Sequence, residues 1–482
     1  MTTTPGPVLT RTGYRGHRLG RASFVDSPVE YRGTSVQVCG LWPWAVGAGS
    51  PTIGTPIGVH QDTGASVCFD PVAWFSRARL LSTPIVYVLG RPGLGKSTLV
   101  RRMVIGTAAQ GVVPLILGDL RPDYAELVRQ LGGQVVRLGR GLGSLNPLDV
   151  GALGSIIPRL SDGAATQVRS EIHGRRLHMV ASLIELIRRT PISDHEETIL
   201  SAALRILDTA HEGKDAPLLS DLIHVLETGP AELRHYTLDR GEDQRYRAAV
   251  DPLHRSLLAL LEGPLGDTFS RPTSVRIDVD APAVCIDISG LAVHDHRLTA
   301  AVLLSCWSDG FGAIEASNRL TDEGLAPQKR FFVVMDELWR VLRHGLVDRL
   351  DEMTRINREW ATAVAYITHS FSLDSDAISN EADRAKAKGF IERSGAVISF
   401  GLPQREVDDL NKVVQHSEEE RRRLTEWSTP GAWDHDLSEE TPPPGQGHCL
   451  IKVGQRPGIP VQVQLTQTEL DSGVHNTNRR WQ

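Results

Sequence analysis

Ile85-Val86-Tyr87-Val88-Leu89-Gly90-Arg91-Pro92-Gly93-Leu94-Gly95-Lys96-Ser97-Thr98 is the stretch on which the reading of this chain turns. Ile85 to Leu89 is an unbroken apolar run, which a strand buried on both faces requires. Gly90 to Ser97 matches the pattern G-x-x-x-x-G-K-[ST], and from Thr98 to Ala109 the apolar residues take up helical spacing. Strand, glycine-rich turn and helix in that order make a phosphate site. The glycines let backbone N–H groups turn inward around an anion, and the helix start adds its partial positive charge. Lys96 then reaches the β- and γ-phosphates and the Ser97 hydroxyl ligates Mg²⁺. Gly90, Arg91, Pro92, Gly93, Leu94, Gly95, Lys96, Ser97 and Thr98 are accordingly the expected ATP-binding residues.

Downstream, Val112 to Leu117 is a second buried run and Tyr124 to Leu131 a second helix, a spacing that predicts parallel strands joined by right-handed crossovers. From about residue 160 to 263 strand patterns stop. Val168, Ile172, Val180, Leu183, Ile184 and Ile187 recur at helical spacing, Ser193 with Glu196 forms a capping-box signature, and Leu253, Leu257, Leu258 and Leu261 mark a further helix. The segment is too long for a connection and reads as an all-helical insertion. Strand patterns return at Ala283 to Ile288, Phe331 to Met335, Ala361 to Ile367 and Ala396 to Phe400. The expected fold is therefore α/β, with residues 81–159 and 264–470 as the core and 160–263 as the insertion. Residues 1–80 read as an N-terminal arm with a small β-hairpin at Ile57 to Val59 and Val67 to Phe69, and 471–482 as a tail. Ser417 to Gly447 holds the run Glu418 to Arg423 and then Pro442 to Pro444, which predicts a solvated charged helix followed by an exposed linker. Cys449 to Val453 and Pro460 to Leu465 suggest a closing hairpin.

Hydrophobic residues make up 40% of the 482, as a globular chain needs. The net charge of −6 excludes a protein that coats nucleic acid by bulk positive charge. Five cysteines, at 39, 68, 285, 306 and 449, show no metal-ligand spacing and are expected to be reduced thiols in the cytoplasm. Met1 to Arg32 lacks the apolar run of a secretory signal, and nothing in the chain reaches the roughly 18 apolar residues of a membrane span.

Phe331-Phe332-Val333-Val334-Met335 runs into Asp336-Glu337, the pattern of a buried strand that delivers two carboxylates to its C-terminal edge. Asp336 is expected to hold Mg²⁺ and Glu337 to polarise the attacking water. Asp119 ends another strand and reads equally well as a group behind the site or as a cap for the helix that follows. Thr368-His369 ends Ala361 to Ile367 in the same way, so one of the two is expected to report on the γ-phosphate. Arg355, Arg358 and Arg393 flank these strands; each by itself reads as a surface residue or as an arginine finger.

Together these residues resemble the FtsK/HerA superfamily of RecA-like P-loop NTPases, and within it the large cytoplasmic ATPase of conjugative type IV secretion systems. The resemblance runs from about Ile57 to Leu465. It rests on Gly90 to Ser97, on Gly118-Asp119 followed by Pro122-Asp123-Tyr124 and Gly132-Gly133, and on Asn146-Pro147-Leu148-Asp149. Gly263 to Phe269, Asp336-Glu337-Leu338-Trp339 and the segment Arg358 to His369 complete it. The resemblance implies a RecA-like core with a helical insertion, a ring-shaped homo-oligomer that extends to a hexamer, and ATP hydrolysis coupled to substrate transfer or apparatus assembly. It also implies membrane-bound secretion or conjugation partners, a position at the inner face of the cell membrane, and Arg358 as the residue that reaches a neighbouring subunit's γ-phosphate. Direct contact with DNA is left open. This chain departs from the family in the short stretch before the sheet and in His369, where the family carries Gln. Two rival functions are a DNA translocase of the same superfamily and a nucleotide-gated scaffold without useful turnover.

Overall fold

The computed structural model describes residues 9–10, 13–14, 51–139, 141–211, 215–291, 296–342, 359–370, 388–434 and 439–475. The chain divides into two compact units, Met1–Val46 and Gly47–Gln482. In the first, strands β1 (Leu9–Thr10) and β2 (Gly13–Tyr14) pair antiparallel. All that follows concerns the second.

Its strands are β3 (Pro56–His60), β4 (Ser66–Cys68), β5 (Ile85–Leu89), β6 (Val113–Asp119), β7 (Gln134–Gly139), β8 (Val284–Gly290), β9 (Phe331–Met335), β10 (Thr362–Ile367), β11 (Ala396–Ser399), β12 (Ala432–Asp434), β13 (Glu439–Thr441), β14 (His448–Lys452) and β15 (Ile459–Val463). Apart from the β12–β13 ribbon they form one 11-stranded sheet in the order β4-β3-β15-β14-β11-β5-β10-β9-β6-β8-β7. From β11 to β7 every pairing is parallel, and from β11 outward to β4 every pairing is antiparallel. The expectation of an α/β fold with a mainly parallel sheet is met.

The continuous apolar runs have a direct cause. Along β5, Tyr87 and Leu89 pack into a core on one face of the sheet while Val86 and Val88 pack into a core on the other. Helix Lys96–Ala109 covers the second face with Leu99, Val100, Met103 and Val104. Helix His296–Asp322 covers the first, where Leu303 and Trp307 join Leu115 and Leu117. The Trp307 indole donates to Leu117 O at 2.7 Å, so even the polar atom of this buried side chain is satisfied.

Between β7 and β8 lie the helices Asp162–Arg188, Asp194–Ala210, Leu219–Thr228, Ala231–Thr237 and Asp243–Glu262. The Ser193–Glu196 capping box is present at the start of the second. His173 sits between Asp208 (3.0 Å) and Ser201 (3.1 Å) and ties the first helix to the second.

Three features differ from the sequence reading. β7 had no expected strand, because Gln134 and Arg137 leave only Val135, Val136 and Leu138 apolar; it forms at the sheet edge, paired to β8. The β3–β4 hairpin, placed with the N-terminal arm, extends the main sheet through β15. The third lies in 417–447. Helix Glu418–Glu426 is not wholly solvated, since Glu420 is buried and accepts from Lys452 Nζ (2.8 and 3.0 Å), Gly458 N (2.5 Å) and Ser417 N (2.8 Å). Nor is the stretch beyond it a free linker, because Gly445 is buried against Trp427, where a side chain would collide with Trp427 O.

Candidate nucleotide site

The carboxyl edge of the parallel strands gathers the expected residues. β10 lies between β5 and β9, so the loop after β5 and the acidic pair after β9 are separated by one strand. At about 4.8 Å per strand spacing, that sets the two loops on the order of 10 Å apart, room for a triphosphate end and a water.

Gly90 leaves β5 at φ +145°, with Phe400 so close that a Cβ would stand 2.5 Å from the phenylalanine Cβ. Gly93 and Gly95 have φ of +81° and +106°, values that side chains resist. The turn ends at helix Lys96–Ala109, whose first N–H groups receive no side-chain cap. Such donors suit an anion. Lys96 is 4% exposed, and its Nζ donates to Gly90 O (2.5 Å) and Arg91 O (3.0 Å), so the ammonium already lies inside the loop. Ser97 and Thr98 are part-exposed on the first turn, while Arg91, Pro92 and Gly93 are exposed and Leu94 is buried.

Sequence reasoning missed what braces this loop. Arg91 N donates to Gly401 O (3.1 Å), its guanidinium donates to Ser428 O (2.8 Å), and Gly447 N donates to Leu94 O (2.9 Å). Gly401 and Gly447 lie more than 300 residues from the loop in sequence, so no local pattern links them to it.

Past β9, Asp336 Oδ1 accepts from Glu337 N at 2.8 Å, and Glu337 takes the left-handed φ of +56°. Its carboxylate is held at both oxygens. Trp339 Nε1 donates to Oε2 at 2.5 Å, Arg340 Nε stands 3.5 Å from the same oxygen, and His369 Nε2 donates to Oε1 at 3.3 Å. The two acids diverge in consequence. Burial, reinforced by the Glu337 charge, pushes Asp336 up to about 6. Burial also acts to raise Glu337, but the His369 hydrogen bond, the Arg340 charge and the Trp339 bond prevail and hold it at about 2.

Asp119 resolves as a cap. It accepts from Asp123 N (3.2 Å), Tyr124 N (2.8 Å) and Ala125 N (3.1 Å), and burial raises it to about 7. Thr368 is buried at the end of β10, its N–H donating to Val88 O at 3.0 Å. Arg393 lies at the opposite, amino edge, where its carbonyl accepts from Thr83 Oγ1 (2.8 Å) and its guanidinium stacks on Phe390. Arg355 and Arg358 lie outside the described residues. Four cysteines, Cys68, Cys285, Cys306 and Cys449, are free thiols, all buried. Among the described residues no group of three or more His, Cys, Asp or Glu side chains is arranged to hold a metal ion by itself, and no helix is long and apolar enough to cross a membrane.

A parallel sheet with a phosphate loop on one strand, an Asp-Glu pair two strands away and Thr-His on the strand between defines the RecA-like P-loop fold. VirB4 of Thermoanaerobacter pseudethanolicus superposes with a TM-score of 0.65 at 17% identity, over 88% of this chain and 100% of that one. The bacterial conjugative coupling protein TrwBdeltaN70, in a trigonal form with sulphate, superposes at 0.52 and 11% identity, over 87% of this chain and 91% of that one. The motif resemblance thus extends to the fold of conjugative ATPases. No family model and no curated protein sequence matches the chain.

Proposed function

We propose that this chain is the ATP-hydrolysing motor of a conjugative or type IV secretion-like machine, working as a ring of identical copies against membrane-bound components from the cytoplasmic side. The observation that carries the reading is Lys96, buried inside a braced glycine loop one strand removed from a restrained acidic pair. The likeness of fold to VirB4 and TrwB supports the choice of machine. In this reading Lys96 exchanges the Gly90 and Arg91 carbonyls for β- and γ-phosphate oxygens, and the uncapped N–H groups of the helix start bind the same phosphates. Glu337 orients the attacking water and accepts its proton, at Oε1 or Oε2.

The donor set suits Mg²⁺. A serine hydroxyl and one carboxylate are hard oxygen donors, too few for an all-protein cage and enough for an ion that keeps its waters and binds phosphate. Ser97 and Asp336 would hold it, and when bound it would offset charge on the transferred phosphoryl group. The raised Asp336 carboxyl is what a cation at this place would relieve.

A steady-state ATPase assay with and without DNA tests the reading. Turnover that depends on Lys96 and Mg²⁺ is the expected result, and Lys96→Ala should abolish most nucleotide affinity because the loop loses its point charge. Hydrolysis that appears only with DNA would favour the translocase. Nucleotide binding without turnover would favour the scaffold. Unchanged ATP binding in Lys96→Ala would overturn the site.

A further inference from the structure

Glu337 is held at the sheet edge from two directions. Trp339 and Arg340 hold Oε2 from within its own loop, while His369 reaches Oε1 from the end of β10. Glu337 also occupies a left-handed backbone conformation that a non-glycine residue adopts only when its surroundings impose it. Two backbone bonds connect the same elements. Leu338 N donates to Ile367 O at 3.4 Å, and Thr368 N donates to Val88 O at 3.0 Å, one residue before the phosphate strand ends at Leu89. The end of β10 is therefore a bridge between the phosphate loop and the acidic loop.

An imidazole that already donates to a carboxylate has a defined job. With Nε2 turned to Glu337, the other ring nitrogen, Nδ1, is buried and without a hydrogen-bond partner among the described residues. Neither nitrogen is presented as an exposed donor to a phosphate. We propose that His369 acts on Glu337 rather than on the nucleotide: with Trp339 it clamps the two carboxylate oxygens and so fixes where the base points. His369 is then a positioning residue, and the β10 bridge couples the phosphate loop to the base. The inference rests on the reading of Glu337 as the base, and it replaces the expectation that His369 senses the γ-phosphate.

Three measurements on the full chain test it. The His369 side chain is 35% exposed, so truncation leaves the fold intact. In steady-state kinetics His369→Ala should lower kcat by about 10-fold, the cost of a misdirected catalytic group, with KM moved far less. His369→Gln keeps one N–H donor and should recover most of the loss. In equilibrium binding the preference for a non-hydrolysable ATP analogue over ADP should persist in His369→Ala, because no γ-phosphate contact is lost. In ¹⁹F spectra of protein labelled with 5-fluorotryptophan, the resonance lost in Trp339→Phe should shift in both His369→Ala and Glu337→Ala without nucleotide. An unchanged kcat, a lost preference for the ATP analogue, or a Trp339 resonance that neither variant moves would each overturn the proposal. Absence of Lys96-dependent hydrolysis in the unmodified chain would instead overturn the ATPase reading, and the resonance would still decide whether the clamp exists.

Discussion

Asp336→Asn should make the metal-free protein more stable at neutral pH while removing its Mg²⁺-dependent turnover. The Asp336 carboxyl titrates near 6 in the fold against an ordinary 3.8, first because it is buried and then because Glu337 is charged beside it. A folded value above the unfolded one means that the fold binds the proton more tightly, so stability falls as pH rises through the window from 3.8 to 6 and stays low above it. At 1.36 kcal/mol per pKa unit the full penalty is about 3 kcal/mol at pH 8. The residue is partly open to solvent, so about 1–3 kcal/mol is the working range, with about half of it already present at pH 5. The substitution keeps the Oδ1 acceptor for Glu337 N, now at 2.8 Å, so no hydrogen bond need be lost. Urea midpoints in chelator should therefore be higher for the variant at pH 8, with a gap that narrows at pH 5. Added Mg²⁺ and ATP should reverse the order, since only the carboxylate gains from the cation. A variant equal to or weaker than the parent at pH 8 without metal would refute the argument that the site stores charge repulsion.

Two further outcomes are expected. Glu337→Gln should bind ATP normally and lose about 10²- to 10⁴-fold in kcat, because an amide cannot take up the water's proton; near-normal turnover in a kinetic assay would move the base elsewhere. Glu420→Ala strands the buried ammonium of Lys452 and should cost about 3 kcal/mol by denaturant midpoint, whereas replacing Glu420 and Lys452 together by Leu and Met should restore most of it. Because Lys452 and the backbone donors hold Glu420 below its ordinary 4.5, despite partial burial, that contribution is complete above pH 4.5 and fades as pH falls through the folded value.

What the sequence determined by itself was local. Five apolar residues, a glycine turn with Lys96-Ser97 and a helical repeat are each written within a few positions, so the strand, the turn and the helix of the candidate phosphate site were legible, as were the Asp336-Glu337 strand end and the Ser193–Glu196 cap. Periodicity reports which face of an element is buried; it carries no record of what lies against that face. Hence the tertiary structure alone decided that β10 separates the phosphate strand from the acidic strand, that β3–β4 extends the sheet, and that β7 forms despite a broken pattern. It alone turned the charged run at Glu420 into a buried ion pair and the glycines at 401 and 447 into supports for a loop more than 300 residues away in sequence. The same holds at the candidate site. Asp336 and Glu337 are chemically alike and adjacent in the chain, yet one is raised to about 6 and the other lowered to about 2, because Trp339, Arg340 and His369 reach Glu337 while burial and its neighbour's charge fall on Asp336. A carboxylate's strength as a base is set by the donors and charges around it in space, and only folding brings His369 to Glu337.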